Sequence, residues 1–467
     1  MGSAQLLNIG LLISGVSGAV MFIVLGSSTG AAIPVSFFGL ALLAKLIKTP
    51  RLAFYIVLAS LVVAPILLNF VSSEMGFFLR ETPLLLTYLF VILAFLTMGK
   101  VRVANFRAGS VEALLIFMFL YMLFEAIRQQ PVMVGLLGFR SVMYYSPIFF
   151  LTVFLFNTRE RLHRLIRILI LLSMTLVVIS ILQHIFTQMV MGALGFSEGG
   201  IAYRTTSGHL KASATLGDAS AFGAVITITI GILLCLKMSQ QWERSKSIPY
   251  VILFLLFGVI LSFSRANYLA LLAISFFLAF FYKSVILKYY LVAGLFLIIF
   301  NAALDNILVD NMLSILALGG SKLGIKSTLA RLDIIEKGLD WFAQSPVIGH
   351  GLGVTGSSSM HYAHVLPVGY FVTDNYFLKL LIESGIVGAA LFSLFLFFSL
   401  NRGIKNYKKI QDTYLKHLCL GAIFGVLVII LNNLTNSNLE SSVINSFLWI
   451  LVGIITSTGR IDRTNID

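Results

Sequence analysis

The chain has 467 residues, 58% of them hydrophobic and only 11% charged, against about 45–50% apolar and about 25% charged in an ordinary soluble domain. A mean hydropathy of +0.97 and 39 phenylalanines exclude a cytosolic enzyme, a disordered chain and a nucleic-acid-binding domain, despite the formal charge of +14. What remains is an all-α polytopic membrane protein, since the apolar runs are continuous and do not alternate as barrel strands do.

A bilayer core needs about 20 largely apolar residues per helix. Candidate spans run over residues 6–25, 30–46, 52–71, 82–98, 111–127, 140–156, 163–184, 219–237, 249–264, 266–282, 287–302, 374–400, 413–432 and 440–457. Several are short or closely spaced, so the expected count is about 12–14 helices. No basic stretch precedes the first span and no clear cleavage site follows it, so it is expected to stay as a helix. Cys235 and Cys419 lie inside apolar runs, which leaves neither a disulfide framework nor a cysteine zinc site.

Alternate loops carry the cations. They hold Lys45, Lys48 and Arg51; Lys100, Arg102 and Arg107; Arg159, Arg161 and Arg164; Lys237, Arg244 and Lys246; Lys283 and Lys288; and Arg402, Lys405, Lys408, Lys409 and Lys416. Arg460 and Arg463 follow in the tail. The positive-inside rule makes that side the cytoplasm and puts both termini there. The opposite side has two long loops, at residues 185–218 and 303–373, and long loops on a rigid scaffold are where function concentrates. No internal repeat or low-complexity linker divides the chain, so 1–467 reads as a single integral membrane domain.

The first outer loop carries Arg204, His209 and Lys211 in a small, polar setting, ending at Gly217-Asp218. It reads as a solvated loop or as part of a binding site. The second opens with Gly319-Gly320, Lys322 and Lys326. Leu329, Leu332, Ile335, Leu339 and Phe342 then recur at helical spacing, with Arg331, Lys337 and Asp340 between them. Ser345-Pro346 stops that amphipathic helix. It suits either the membrane interface, with Trp341 near headgroup depth, or plain packing on the bundle.

Residues 351–356 match G-x-G-x-x-G by letter. A dinucleotide site needs a preceding strand and a helix opening from the motif, and neither is expected here. The glycines, with His350 among them, read instead as backbone that turns tightly or is closely approached. His361 and His364 follow at a three-residue spacing, but no third ligand accompanies them, so no metal is expected. The loop ends at Thr373-Asp374-Asn375-Tyr376. Asp374 stands at a helix N-terminus, where a carboxylate serves as a cap or as a working group. Lys379 and Glu383 lie four apart inside the same span, where ionisable groups are costly and mark function unless they pair. Arg265 interrupts two apolar runs at the outer surface in Ser262-Phe263-Ser264-Arg265-Ala266-Asn267, and Arg140 is a weaker companion. Arg140, Arg204, Arg265 and Arg331 are the arginines available to grip one diphosphate bidentately, or to anchor their helices at the interface.

These segments resemble the O-antigen ligase and O-antigen polymerase (Wzy-like) superfamily. The resemblance rests on Ser264-Arg265; on Arg331 through Trp341 and Ser345-Pro346-Val347-Ile348-Gly349-His350-Gly351-Leu352-Gly353; and on Asp374-Asn375-Tyr376-Phe377-Leu378 followed by Glu383-Ser384-Gly385-Ile386-Val387-Gly388. It implies a GT-C-like helical fold in the bacterial inner membrane, with the active site facing the periplasm or exterior. It further implies undecaprenyl-diphosphate-linked oligosaccharides as substrates, no cofactor and no metal. A chain-length regulator in the membrane is the protein partner it suggests. Asp374, Asn375 and His350 become the expected catalytic residues. Arg140, Arg204, Arg265, Arg331, His209, His361, His364 and Tyr376 become the expected diphosphate and sugar contacts. Ligases of the superfamily carry a His-Asn pair where this chain has Asp374-Asn375, which favours a polymerase. A flippase of lipid-linked oligosaccharide is the alternative from another class, but transporters tend to show repeated halves and matching broken spans.

Overall fold

The computed structural model describes residues 51–52, 54–60, 62, 109–129, 131–193, 205–206, 209–239, 247–281, 322–356 and 372–464. The chain divides into two compact units, 1–107 and 108–467. In the first, the described residues between Arg51 and Val62 are helical, with Phe54, Val57, Leu58 and Val62 buried. The expected spans 6–25, 30–46, 82–98 and 287–302 lie outside the described residues.

Among the described residues, the second unit consists of helices joined by turns and a two-residue ladder. In chain order its helices are α1 (Ser110–Arg128), α2 (Val132–Val142), α3 (Pro147–Leu155), α4 (Arg159–Ile185) and α5 (Thr187–Ala193). They continue with α6 (Ala219–Lys237), α7 (Ile248–Leu261), α8 (Arg265–Phe281), α9 (Lys322–Gln344), α10 (Tyr376–Lys409), α11 (Thr413–Asn433) and α12 (Ser442–Thr464). Strands β1 (Thr205–Thr206) and β2 (His209–Leu210) pair antiparallel, with His209 opposite Thr206. Among the described residues, seven helical segments are long and apolar enough to cross a membrane. The chain is a multi-pass membrane protein.

Boundaries follow from capping. Asp218 accepts from the Ser220 and Ala221 amides and starts α6, Asp412 accepts from Leu415 N and starts α11, and the Thr158 hydroxyl accepts from Arg161 N and starts α4. Helix α6 is apolar on every side and almost wholly buried, as such a helix must be. It packs on α11, α7 and α8, while α12 packs on α11, α3 and α10. Trp449 of α12 is fully buried, donating its indole N–H to Asn445 Oδ1 at 2.6 Å and lying 5.2 Å from the Phe395 ring.

The span expected to start at residue 140 starts at 132 and is two helices joined by a turn at 143–146. Gly135 and Gly138 weaken its apolar signal, but they are what lets the backbones pack. A Cβ at 135 would strike the Ala126 carbonyl, and one at 138 would strike the Gly353 backbone.

Two ends of the bundle are distinct. One gathers the C-termini of α1, α4, α7 and α11 with the N-termini of α6, α8, α10 and α12, linked by bonds such as Gln183 to Ala214 and Ser437 to Thr373. The other carries the cations of the 159–164 and 402–416 segments. There Glu112 of α1, 1% exposed, receives both Arg402 terminal nitrogens, at 2.7 and 2.6 Å, and Arg460 at 3.1 Å. Arg159 meets Asp412 at 3.0 Å and lies over the Tyr414 ring. Removing one partner of a buried pair typically costs about 3–5 kcal/mol, so this end fixes how α1, α10 and α12 assemble.

Candidate active site

The first end is organised around a break in α10. Gly385 sits at φ 62 and ψ −168, outside helical geometry. Inside a membrane the backbone groups such a break frees must be satisfied by protein. The Gly-rich loop does this. His350 N donates to Ile382 O and Gly351 N to Glu383 O, each at 2.9 Å. In return Ile386 N donates to Pro346 O at 2.9 Å and Val387 N to Val347 O at 3.3 Å. A side chain at 385 would collide with the Val347 carbonyl. The loop glycines at 349, 351, 353 and 356 all have positive φ. The close approach they permit is to the protein itself: Gly351 to Gln129 and Gly353 to the Val134 carbonyl. From α1, Tyr121 donates to Ser384 O at 3.0 Å. Arg128 donates to Ile348 O and Gly349 O at 3.1 and 3.0 Å while its Nε donates to Glu125 at 2.9 Å.

Below this loop, Lys379 and Glu383 are both fully buried and pair at 2.9 Å. Lys379 also donates to Thr355 O at 2.9 Å and meets Glu440 Oε1 at 3.1 Å. Glu383 Oε1 accepts from the Thr355 amide at 3.0 Å and hydroxyl at 2.9 Å. Three acceptors therefore surround the ammonium, as a buried lysine requires.

A second polar group adjoins. Ser220, at the start of α6, accepts from Asn267 Nδ2 on its carbonyl at 3.0 Å and from Asn438 Nδ2 on its hydroxyl at 2.9 Å. The turn between α7 and α8 lies against it, with Ser264 Oγ 3.5 Å from Ser220 Oγ. Phe263 in that turn is buried at φ 44, a conformation costly for a bulky residue. Ala214 at φ 50 is held by the Gln183 amide, which donates to its carbonyl and accepts from its N–H at 2.7 and 2.8 Å. Residues 212–215 are buried, so this stretch of the first long loop is packed and not solvated. Its Ala212 N donates to Leu261 O at 3.0 Å.

Helix α9 packs on α10, with Trp341 and Phe342 against Val134, Val354, Leu378 and Ile382. It begins at Lys322, taking in the cations expected to precede it. Leu332, Ile335 and Leu339 stay exposed on a neighbouring face. On its charged face Asp333 holds the Lys337 ammonium above its ordinary pKa through a 2.8 Å hydrogen bond.

Residues 250–393 match the family profile described as O-antigen ligase. That stretch runs from α7 through the Arg265 turn, α9 and the Gly-rich loop to beyond Gly385. An O-antigen polymerase of Salmonella muenchen is 25% identical over 369 residues, 75% of this chain and 88% of that protein. Over these stretches the chain is similar to the O-antigen polymerase and ligase superfamily.

Of the residues that the superfamily resemblance singles out, six fall on this end of the bundle. Arg265 opens α8, half-buried. Arg140 is in the last turn of α2, beside Ser141, whose carbonyl accepts from Asn445 Nδ2 at 2.7 Å. His350 is half-buried, with Nε2 2.8 Å from Trp341 O and its ring against the indole, so it ties loop to helix. Asp374 is exposed at the head of α10. The cap of α10 is Asn375, whose Oδ1 accepts from Phe377 N at 2.9 Å and Leu378 N at 3.1 Å. Asn375 Nδ2 also donates to Leu434 O at 3.0 Å. Tyr376 is buried against Phe392 within electrostatic reach of Glu383 and Glu440. For His209 and Arg331 only the backbone is described, in β2 and α9, while Arg204, His361 and His364 lie outside the described residues.

Sequence reasoning passed over Glu125, Arg128 and Glu440. Each is an ionisable group at a span end, and that is the signal that finds them. Glu125 and Arg128 pair locally, but Arg128 also reaches Gly349 and Glu440 meets Lys379 from distant sequence.

Proposed function

We propose that this chain is a bacterial polysaccharide polymerase. It joins undecaprenyl-diphosphate-linked oligosaccharide repeat units, of O-antigen or exopolysaccharide, on the outer face of the cytoplasmic membrane, without a metal. The supporting observation is that Arg140, Arg265, the Gly-rich loop and Asp374-Asn375 share one end of a membrane-embedded bundle. A lipid diphosphate is already a good leaving group. The enzyme must hold its developing charge, for which arginines suit, and present an acceptor hydroxyl to the anomeric carbon. Asp374 orients that hydroxyl and takes its proton as the glycosidic bond forms and the diphosphate leaves. Among partners, the polymerase reading adds a membrane chain-length regulator.

The test is reconstitution. Purified protein given synthetic undecaprenyl-diphosphate repeat units should yield a ladder of lengthening lipid-linked glycans on a gel. The ligase reading is favoured by the description of the matched family profile. It predicts no product until lipid A-core is supplied and a single transfer afterwards, and that outcome would displace the polymerase reading.

The orientation is part of the proposal. Arg159, Arg402, Lys405, Lys408 and Lys409 share one end of the bundle, which the positive-inside rule assigns to the cytoplasm. Both native cysteines are buried, so the background is quiet. Thr435→Cys, exposed at the site end, should react with a membrane-impermeant thiol reagent in spheroplasts, and Gln411→Cys, exposed at the other end, should not. The reverse pattern would invert the assignment.

A further inference from the structure

The last turn of α1 carries an arginine that the reading above does not use. Phe117, Leu120, Phe124 and Ile127 are exposed along one side of α1 at three- and four-residue spacing, and Arg128 ends that stripe. The helix is long and apolar enough to cross a membrane, so an exposed apolar stripe on it meets hydrocarbon. From Phe117 to Arg128 it rises about 17 Å, close to half of the roughly 30 Å hydrocarbon core and so to the depth of one leaflet. Val347 and Ile348, which lead into the Gly-rich loop, and Ile386, just past the break in α10, are exposed as well. They adjoin the arginine, since Arg128 donates to Ile348 O and Val347 O accepts from Val387 N.

A guanidinium has five N–H donors in a rigid fork. In Arg128 the Nε donor goes to Glu125, and the two hydrogens of Nη2 serve Glu125 Oε2, Ile348 O and Gly349 O. Nη1 makes no hydrogen bond among the described residues. The side chain is 31% exposed, while that of Glu125, which anchors it, is 0% exposed. One edge of the fork is therefore locked to protein. The other stands at the end of an apolar stripe with two donors to place. A charged donor left in apolar surroundings is costly, and a long cationic side chain relieves that cost at headgroup level, where oxygen acceptors are at hand. Glu125 also cancels the charge of Arg128. The pair offers donors without surplus positive charge, which suits a singly charged phosphodiester better than a diphosphate.

We propose that Arg128 and the α1 stripe form a phospholipid site. The phosphodiester of a lipid in the leaflet at this end of the bundle accepts from Nη1, and an acyl chain lies along Phe124, Leu120 and Phe117. Because the same guanidinium holds the Ile348 and Gly349 carbonyls, the bound lipid braces the loop that splints α10. The inference does not rest on the glycan-joining reading, and its test reads binding and unfolding instead of turnover.

Arg128→Lys tests it. The ammonium keeps a positive charge for Glu125 but lacks the second nitrogen of the fork. Full-length protein, stripped of lipid in detergent, is titrated with phosphatidylglycerol while bound lipid is counted by native mass spectrometry and the unfolding temperature is followed. Wild type should hold one phosphatidylglycerol about 10-fold or more tighter than the lysine variant, the scale of a lost charge-assisted hydrogen bond, and should gain unfolding temperature as it binds. Diacylglycerol with the same chains should bind at the level of the variant, and inorganic phosphate should change nothing. Equal retention of phosphatidylglycerol by the two proteins overturns the proposal. So does diacylglycerol binding as tight as phosphatidylglycerol, which marks plain solvation of the stripe, and so does an equal response to inorganic phosphate, which marks a bare anion site. Undecaprenyl diphosphate that displaces phosphatidylglycerol at equal concentration would place Arg128 among the donor contacts and overturn it too. Should Arg128→Lys fail to fold, a photo-crosslinking benzoylphenylalanine in place of Phe124, with Arg128 intact, decides. Preferential capture of phosphatidylglycerol over diacylglycerol supports the site, and equal capture overturns it.

Discussion

Arg265→Ala is expected to insert normally, stay monodisperse in detergent and lose about 100-fold or more of its glycan-joining activity, in the range seen when one donor to a developing anion is removed. The expectation comes from how the residue is presented. Arg265 opens α8 directly after a turn containing the strained, buried Phe263. That turn is clamped on several sides. Ser262 Oγ donates to Val259 O at 2.6 Å, Ser264 N donates to Ser262 Oγ at 3.3 Å, and Asn267 reaches across to Ser220. None of these bonds uses the arginine side chain, so truncation should leave the turn standing. Backbone strain held this firmly fixes the course of the turn from which α8 and Arg265 start. Arg265→Lys should recover only part of the activity, because a point charge cannot reproduce a bidentate grip on phosphate oxygens. Activity is read as ladder length and rate from synthetic repeat units, and thermal unfolding in detergent reports on the fold. Full turnover in the alanine variant would remove Arg265 from the site.

Much of the helical layout was legible in the sequence, for a local reason. Spans expected at 111–127, 219–237 and 413–432 appear as Ser110–Arg128, Ala219–Lys237 and Thr413–Asn433. Each is a continuous apolar run, and in the fold Asp218 and Asp412 start two of them as N-caps. The Gly-rich segment was legible as tight backbone, but not as a splint for a break in α10. The glycine at 385 gives no sign of its partner, because that partner lies at Pro346 and Val347. The suspicion that Lys379 and Glu383 simply pair was right about the contact and incomplete about the group, since Glu440 joins them from some 60 residues away. Pairings of that range, like Glu112 with Arg402, depend on which helices pack. Hydropathy does not encode that choice.

Asp374→Asn is expected to lower turnover roughly 100-fold or more, the usual reach of a lost acid–base group, with expression and detergent stability nearly unchanged. The structure makes this a cleaner experiment than the sequence suggests. From sequence alone Asp374 is a plausible cap for α10, and an effect of substitution would be ambiguous. In the fold the cap is Asn375, which takes the Phe377 and Leu378 amides itself. The backbone around Asp374 is fixed independently. The Thr373 hydroxyl accepts from Asn375 N at 2.9 Å and donates to Asn375 O at 3.0 Å, and Ser437 holds Thr373 O. Asp374 therefore stands exposed on a small turn braced by Thr373, Asn375 and Ser437. Asparagine would cap nearly as well in any case, so the stability change should be well under about 1 kcal/mol. A large loss of rate with an unmoved unfolding temperature then reports on chemistry at the carboxylate. Ladders of wild-type length and rate from Asp374→Asn would withdraw the proton-accepting role while leaving the polymerase reading in place.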